Sequence, residues 1–323
     1  MSFVDLVDDR WFTDKSKSSV WCAGFRAFCF EGIRANEARG IETLGVRTVF
    51  LHGALSYHSL GKIKKEIVGE QFRFTAPEPE LKTEDPGPHL IVIAAHKVDG
   101  QQGDESRTKD RIEAALGLLL AFYGRNVAFE KLFECEVAAD GSNTTFASEA
   151  QVNPLTFPKI YVVEDSLKRL QEASGAILRL SDAAKNRTFL SLKWFQEAIY
   201  DSNGLMGFLK YWIAIETLAM PDVTNVRPVN EILAQVYSSS TNDAEMKFYV
   251  GRIHGLRSDI VHDGMIVAIH SGIADYLQAL YFDLLSFVAG LPSERRLETA
   301  LKNPNFSVEN FLKNYAASKK SKN

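Results

Sequence analysis

Glu216, Arg257 and His262 are the residues of this chain whose types and spacing could do chemistry together. A histidine titrates near neutrality and can take or give a proton, and an arginine offers a permanent positive charge to an anion or an anionic transition state. Arg257 belongs to Leu256-Arg-Ser-Asp-Ile-Val-His-Asp-Gly264, the end of a helical pattern that begins near Asp243. At 100° per residue, Met246, Tyr249, Val250, Ile253, Leu256, Ile260 and Val261 share one face of that helix, and Arg257 falls in the middle of it. A charge there needs a partner, because an unpaired buried ion is costly. The segment Leu205 to Ala219 supplies one: Glu216 sits inside its stripe of Leu205, Phe208, Leu209, Trp212, Ile215 and Ala219. Two helices thus carry opposite charges on faces that should be dry, which suits either a register-fixing ion pair or a site.

His262 tilts the reading toward a site. Gly264 is a plausible residue to end the helix, which puts His262 in the last turn, where the helix dipole favours a cation. Arg257 and His262 are five residues apart, so on an unbroken helix they point about 140° apart. They converge if the helix ends between them or if a second copy of the chain supplies the missing half. Ser258 and Asp259, between them, are candidate supporting residues.

These residues resemble a known family. Arg-x4-His at Arg257 and His262, closing a helix before Gly264, follows by about forty residues the aromatic-rich run Phe208-Leu-Lys-Tyr-Trp-Ile-Ala-Ile-Glu216. Together they look like the HEPN superfamily, most closely its ApeA-like branch, over roughly residues 160 to 290. The position after the arginine, which is Asn, Asp or His in many catalytic members, is Ser258 here. Val261-His-Asp263 also lacks the His-x-Tyr ending of the nucleotidylated toxin branch. The resemblance implies an all-helical domain and a metal-independent endoribonuclease of antiviral or stress defence, acting as a homodimer on single-stranded or loop RNA. In it, His262 serves as general acid or base for attack of a ribose 2′-OH on the adjacent phosphate, and Arg257 stabilises the transition state.

The elements that must position these residues are bounded by length and composition. At 323 residues, 46% hydrophobic and 24% charged, the chain suits two soluble domains. No apolar run approaches the ~18 residues that span a bilayer, and the acidic start, Met1 to Arg10, is unlike a basic signal peptide. The expected location is the cytoplasm, with no membrane partner. Cys22, Cys29 and Cys135 are odd in number and lack metal-ligand spacing, so reduced thiols are expected rather than disulfides or zinc. From residue 151 onward there are 19 Lys and Arg against 18 Asp and Glu, leaving 18 against 23 before it. Neither half is basic enough to coat a nucleic acid, so bound RNA must use a local patch.

The expected fold class is α+β: an N-terminal mixed domain with a β-sheet, residues 1–158, and a HEPN-like helical bundle, residues 159–323. Val20–Phe30, Val46–Leu51, Gln71–Thr75 and His89–Ala95 read as strands, being aromatic or β-branched runs mostly bounded by Gly or Pro. Residues 76–88 hold four of the ten prolines and read as an exposed loop. A helix is expected over Lys109–Tyr123, its stripe formed by Ile112, Ala115, Leu116, Leu119 and Leu120. Phosphate-loop, dinucleotide, Ser-hydrolase and zinc-protease motifs are missing, and His52, His58, His89 and His96 are too scattered to suggest a metal. No cofactor is expected.

Helical patterns then run over Glu164–Leu180, Ala184–Tyr200, Leu205–Ala219, Val229–Tyr237, Ala244–His262 and Ile266–Ala289, with shorter pieces at Ser293–Leu301 and Val308–Tyr315. The short breaks favour an antiparallel bundle. Phe189, Leu190, Trp194 and Phe195 read as core, His254 and His270 as ordinary polar residues, and the lysines from Lys313 to Lys322 as a frayed, solvated tail. The alternative function is a non-catalytic helical dimerisation or interaction module in which Glu216 and Arg257 are structural and the first half binds a partner.

Overall fold

The computed structural model describes the backbone of the strands between Ser19 and Tyr161, the turn at Leu44 and Gly45, the helix Asp104–Tyr123, and the chain from 164 to 320 except residue 202. Side chains are described at 42–48, 108–123 and 168–319, again except 202. The chain divides into two units, Met1–Gly175 and Ala176–Asn323.

The largest sheet described in the first unit is eight-stranded and antiparallel. Its strands are β1 (Ser19–Ala27), β3 (Ala38–Thr43), β4 (Val46–His52), β6 (Lys64–Val68), β7 (Gln71–Thr75), β9 (Leu90–Val98), β10 (Phe129–Ala138) and β11 (Thr144–Ala147). The order is β3-β4-β9-β1-β10-β11-β7-β6. Two smaller ladders pair β2 (Phe30–Glu31) with β12 (Ile160–Tyr161), and β5 (Ala54–Ser56) with β8 (Glu80–Lys82). The strand expected over Val20–Phe30 therefore ends at Ala27, and the proline-rich loop gives three residues to a minor ladder. Most of 76–88 and the loop before the first helix lie outside the described residues.

β10 escapes a motif search, yet Phe133-Glu-Cys-Glu-Val137 alternates apolar and charged residues as a strand with one wet face does. Its register against β1 places Cys22 opposite Cys135, and a bulge follows Gly24. The turn joining β3 to β4 takes positive φ at both Leu44 and Gly45, the geometry that matches strand twist in a two-residue hairpin. Leucine is a poor choice for that backbone. Here Leu44 is fully buried and its N–H donates to Ser174 Oγ at 2.7 Å. The helix α1 (Asp104–Tyr123) packs on β9, β1 and β4. Its expected stripe is buried, and Ala114, Leu118 and Ala121 are buried as well, so the helix is dry nearly all round its middle.

The second unit, and the helix leading into it, are entirely helical among the described residues: α2 (Glu164–Leu178), α3 (Asp182–Tyr200), α4 (Gly204–Ala219), α5 (Arg227–Tyr237), α6 (Thr241–Phe248), α7 (Val250–His262), α8 (Ser271–Val288), α9 (Arg296–Leu301) and α10 (Val308–Lys320). Helix starts follow the sequence. Ser181, Asn203 and Ser240 cap α3, α4 and α6 by accepting backbone N–H groups, and His270 caps α8 through Nδ1 to Gly272 N at 3.0 Å. His270 is thus a cap, with its ring stacked on Phe306.

α8 is the hub, with α4, α5, α9 and α10 packed against it. Tyr281 stacks on Phe195 at 4.2 Å, and its hydroxyl is hydrogen-bonded to Ser191, which in turn donates to the Ala214 carbonyl. This threads α3, α4 and α8 together with both polar groups satisfied. Of the aromatic run on α3 only Phe195 is core; Leu190 is exposed and Phe189 and Trp194 are half-buried, because the helix turns Thr188, Ser191, Leu192 and Ala198 inward instead. Asp283, fully buried on α8, accepts from Tyr237 Oη at 2.5 Å and from Arg296 N and Leu297 N at 3.0 Å each. It therefore caps α9 from another helix. Burial pushes its carboxyl above the ordinary range, with these hydrogen bonds pulling the other way.

The expected single helix Ala244–His262 is two. Tyr249 takes φ 58° and ends α6 as α7 begins, and the buried Tyr276 hydroxyl donates to the Phe248 carbonyl that the break sets free. The break rotates the two pieces, so Met246 is 69% exposed instead of continuing the apolar stripe. Residues 266–270 are likewise outside α8, which starts at Ser271. The lysine-rich stretch expected to fray is helical through Lys320. Among the described residues no helix is long and apolar enough to cross a membrane.

Candidate functional site

α4 positions Glu216 and α7 positions Arg257. α4 buries Phe208, Tyr211, Trp212, Ala214, Ile215 and Leu218, most of its circumference, and Glu216 stands at the edge of that surface. α7 buries Val250, Ile253, Leu256 and Ile260, a stripe at i, i+3, i+6 and i+10 with Arg257 beside it. The two charges meet: Arg257 Nη2 lies 3.4 Å from Glu216 Oε2. The other carboxylate oxygen accepts from Trp212 Nε1 at 2.8 Å, one helical turn back. Glu216 is thus held from both sides, and it fixes the guanidinium in turn. The faces are not dry, because the side chains of Arg257 and Glu216 keep 23% and 27% of their exposure. His254, also on α7, tilts its ring against Trp212 at 5.7 Å, so it belongs to this cluster rather than to an indifferent surface.

His262 is the last residue of α7 and is exposed. Asp263 ends the helix, and Gly264 follows at φ 63°, the left-handed conformation that glycine adopts without steric cost. The Asp259 carbonyl accepts from Asp263 N at 3.1 Å and Met265 N at 3.4 Å. Val261 and Ile266, either side of His262, are 47% and 88% exposed, so Val261 leaves the apolar face assigned to it. Within one chain the arginine turns toward α4 while the histidine is presented to solvent.

Asp259, expected to support the site, is committed elsewhere. Its carboxylate accepts from Tyr315 Oη at 2.6 Å and pairs with Lys319 Nζ at 2.7 Å, both on α10. Lys319 also reaches Asp263 at 3.9 Å. Burial would raise the Asp259 carboxyl, but the Lys319 and Tyr315 hydrogen bonds outweigh it and hold the group below its ordinary range. Burial and Asp259 push the Tyr315 hydroxyl up, so it stays a donor. At the other end of α10, Glu309 pairs with Lys313 at 2.7 Å and takes a hydrogen bond from Tyr249. α10 therefore runs beside α7 in the same direction. Ser258 is half-buried between these clusters.

A sequence reading misses Trp212, Tyr315 and Lys319 as parts of the site. Trp212 and Glu216 stand at i and i+4 on one helix, which is a usable signal. The matching i, i+4 spacing of Tyr315 and Lys319 to Asp259 and Asp263 is another, but nothing local says that the two helices meet. Among the described residues no three His, Cys, Asp or Glu side chains gather as metal ligands would. No family model, curated protein or solved structure matches the chain.

Proposed function

We propose that the helical unit is a HEPN-type, metal-independent endoribonuclease that cuts single-stranded or loop RNA in the cytoplasm as a homodimer. His262 moves the proton between the ribose 2′-OH and the leaving 5′-oxygen, and Arg257 carries the negative charge that develops on the phosphorus oxygens. The observation that carries this reading is the contrast on α7. Arg257 is oriented by Glu216 at 3.4 Å, itself held by Trp212, while the last turn of the same helix presents His262 to solvent. A guanidinium oriented before the reaction and a histidine open to solvent supply the positive charge and the proton-transfer group that phosphodiester transfer needs, with little reorganisation left at the moment of reaction. The two side chains diverge on one helix, so two α7 helices related by a two-fold axis make the more compact site.

Purified full-length protein incubated with labelled RNA in EDTA tests this. Cleavage leaving 2′,3′-cyclic phosphate ends, loss of cleavage in His262→Ala at unchanged melting temperature, and resistance of DNA and of RNA carrying 2′-deoxy at the cut site are expected. A magnesium requirement, or cleavage that survives His262→Ala, defeats the mechanism.

A second reading is favoured by Val261 and Ile266, whose exposure beside His262 suits a helical interface without chemistry. A stable dimer that never cleaves RNA would decide for it.

A further inference from the structure

The end of α7 is a poor place for a polyanion as its own sequence builds it. Asp259 and Asp263 flank His262 at i−3 and i+1, and the helix C-terminus adds about half a negative charge. Arg257 does little to offset this at a distance, because its charge is largely answered by Glu216. Among the described residues, one cation reaches the spot. Lys319 Nζ lies 2.7 Å from Asp259 and 3.9 Å from Asp263, and Tyr315, one turn earlier on α10, holds Asp259 in place for it.

We propose that α10 completes the site by charge: Lys319 offsets one of the two negative charges that Asp259 and Asp263 place on either side of His262, and thereby eases the approach of a phosphodiester strand. This rests on the reading of the site as one for RNA, and adds to it a residue that tunes substrate approach without touching the reacting atoms. Lys319 is a positioning residue in the electrostatic sense. Its effect belongs to binding of the chain of phosphates and not to the proton transfer at His262. The arrangement also makes the site depend on a segment about sixty residues away, so the helical unit is competent for RNA only when α10 is docked.

Lys319→Ala in the full chain tests the proposal, with two readouts. The first is KM and kcat for cleavage of a labelled RNA in EDTA. The second is binding of the same RNA with 2′-deoxy at the cut site, followed by fluorescence anisotropy. At low salt, Lys319→Ala is expected to raise KM and Kd about tenfold and to leave kcat within about twofold; at ~1 M salt, where the Debye length is ~3 Å, the difference should largely vanish. Lys319→Arg should keep tight binding. Removing the repulsion should restore it too, so Lys319→Ala/Asp263→Asn is expected to recover most of the loss. Unchanged KM and Kd in Lys319→Ala, or a loss that Asp263→Asn leaves untouched, overturns the proposal and makes α10 a purely mechanical strap. Salt-dependent binding that needs Lys319 in a protein that never cleaves would sink the nuclease reading and leave this one standing.

Discussion

Arg257 and Glu216 approach to 3.4 Å across α7 and α4, and Glu216 is anchored a second time by the Trp212 indole at 2.8 Å. The pair is asymmetric. Arg257→Ala frees a carboxylate that keeps one partner and some water, and should destabilise the unit by about 1 kcal/mol. Glu216→Ala strands the buried Trp212 N–H as well, and should cost about 2–3 kcal/mol. Urea denaturation of the two variants checks the order; equal losses would mean that the indole hydrogen bond contributes nothing.

Tyr276 should matter through one hydrogen bond. Its hydroxyl, buried in α8, donates to the Phe248 carbonyl at the left-handed Tyr249, where two helices share a joint. Tyr276→Phe leaves that carbonyl short of a donor and should cost about 1–2 kcal/mol, with α6 protected less from hydrogen exchange than α4. Unaltered exchange in α6 would show that the joint is held by packing alone.

How far the sequence makes this architecture legible is seen at this joint. Periodicity joins Ala244 to His262 because Tyr249 is neither Gly nor Pro, and nothing in a one-dimensional pattern announces a tyrosine at φ 58°. The pairing of Glu216 with Arg257 is legible because each interrupts an apolar sequence pattern with a charge of opposite sign, but the pattern overstates their burial, since both stand at the edge of the buried stripes and keep about a quarter of their exposure. The strand β10, whose sequence alternates apolar and charged residues, carries the weaker signal and is missed, whereas apolar runs such as β9 stand out. The lysines of α10 look like a solvated tail because a basic run advertises solvent, and only the tertiary position of Asp259 gives Lys319 a partner.

Gly272 should resist replacement. A methyl there lies well inside van der Waals contact with the Phe306 ring, which is stacked on His270 at the start of α8. Gly272→Ala is expected to destabilise by about 1–3 kcal/mol despite alanine's better helix propensity. Phe306→Ala in the same chain should remove most of that penalty, and a double-mutant cycle with no coupling would contradict the packing described.

Acid should loosen α10 from α7. Asp259 is held below its ordinary range by Lys319 and Tyr315 against the effect of burial, so its folded value lies under the unfolded ~3.9. A depressed carboxylate contributes stability that is present above the unfolded value and is lost as pH falls through the folded one. Below about pH 4 the wild type should therefore lose stability faster than Asp259→Asn. Parallel acid titrations of the two would refute the linkage.

The composite site makes the sharpest test, because it predicts rescue of one dead variant by another. Arg257 faces α4 and His262 faces solvent, so the proposed dimer draws each site's arginine and histidine from different protomers. Arg257→Ala and His262→Ala should each be inactive alone, since both sites of either homodimer lack one group. In a mixed dimer one site carries both substitutions and the other carries neither. Random assembly makes about half the dimers mixed, each with one working site of two, so co-refolded protein should regain about a quarter of the wild-type rate. A mixture as dead as its components would place Arg257 and His262 of one chain in the same site, and a monomer by light scattering would remove the composite site altogether.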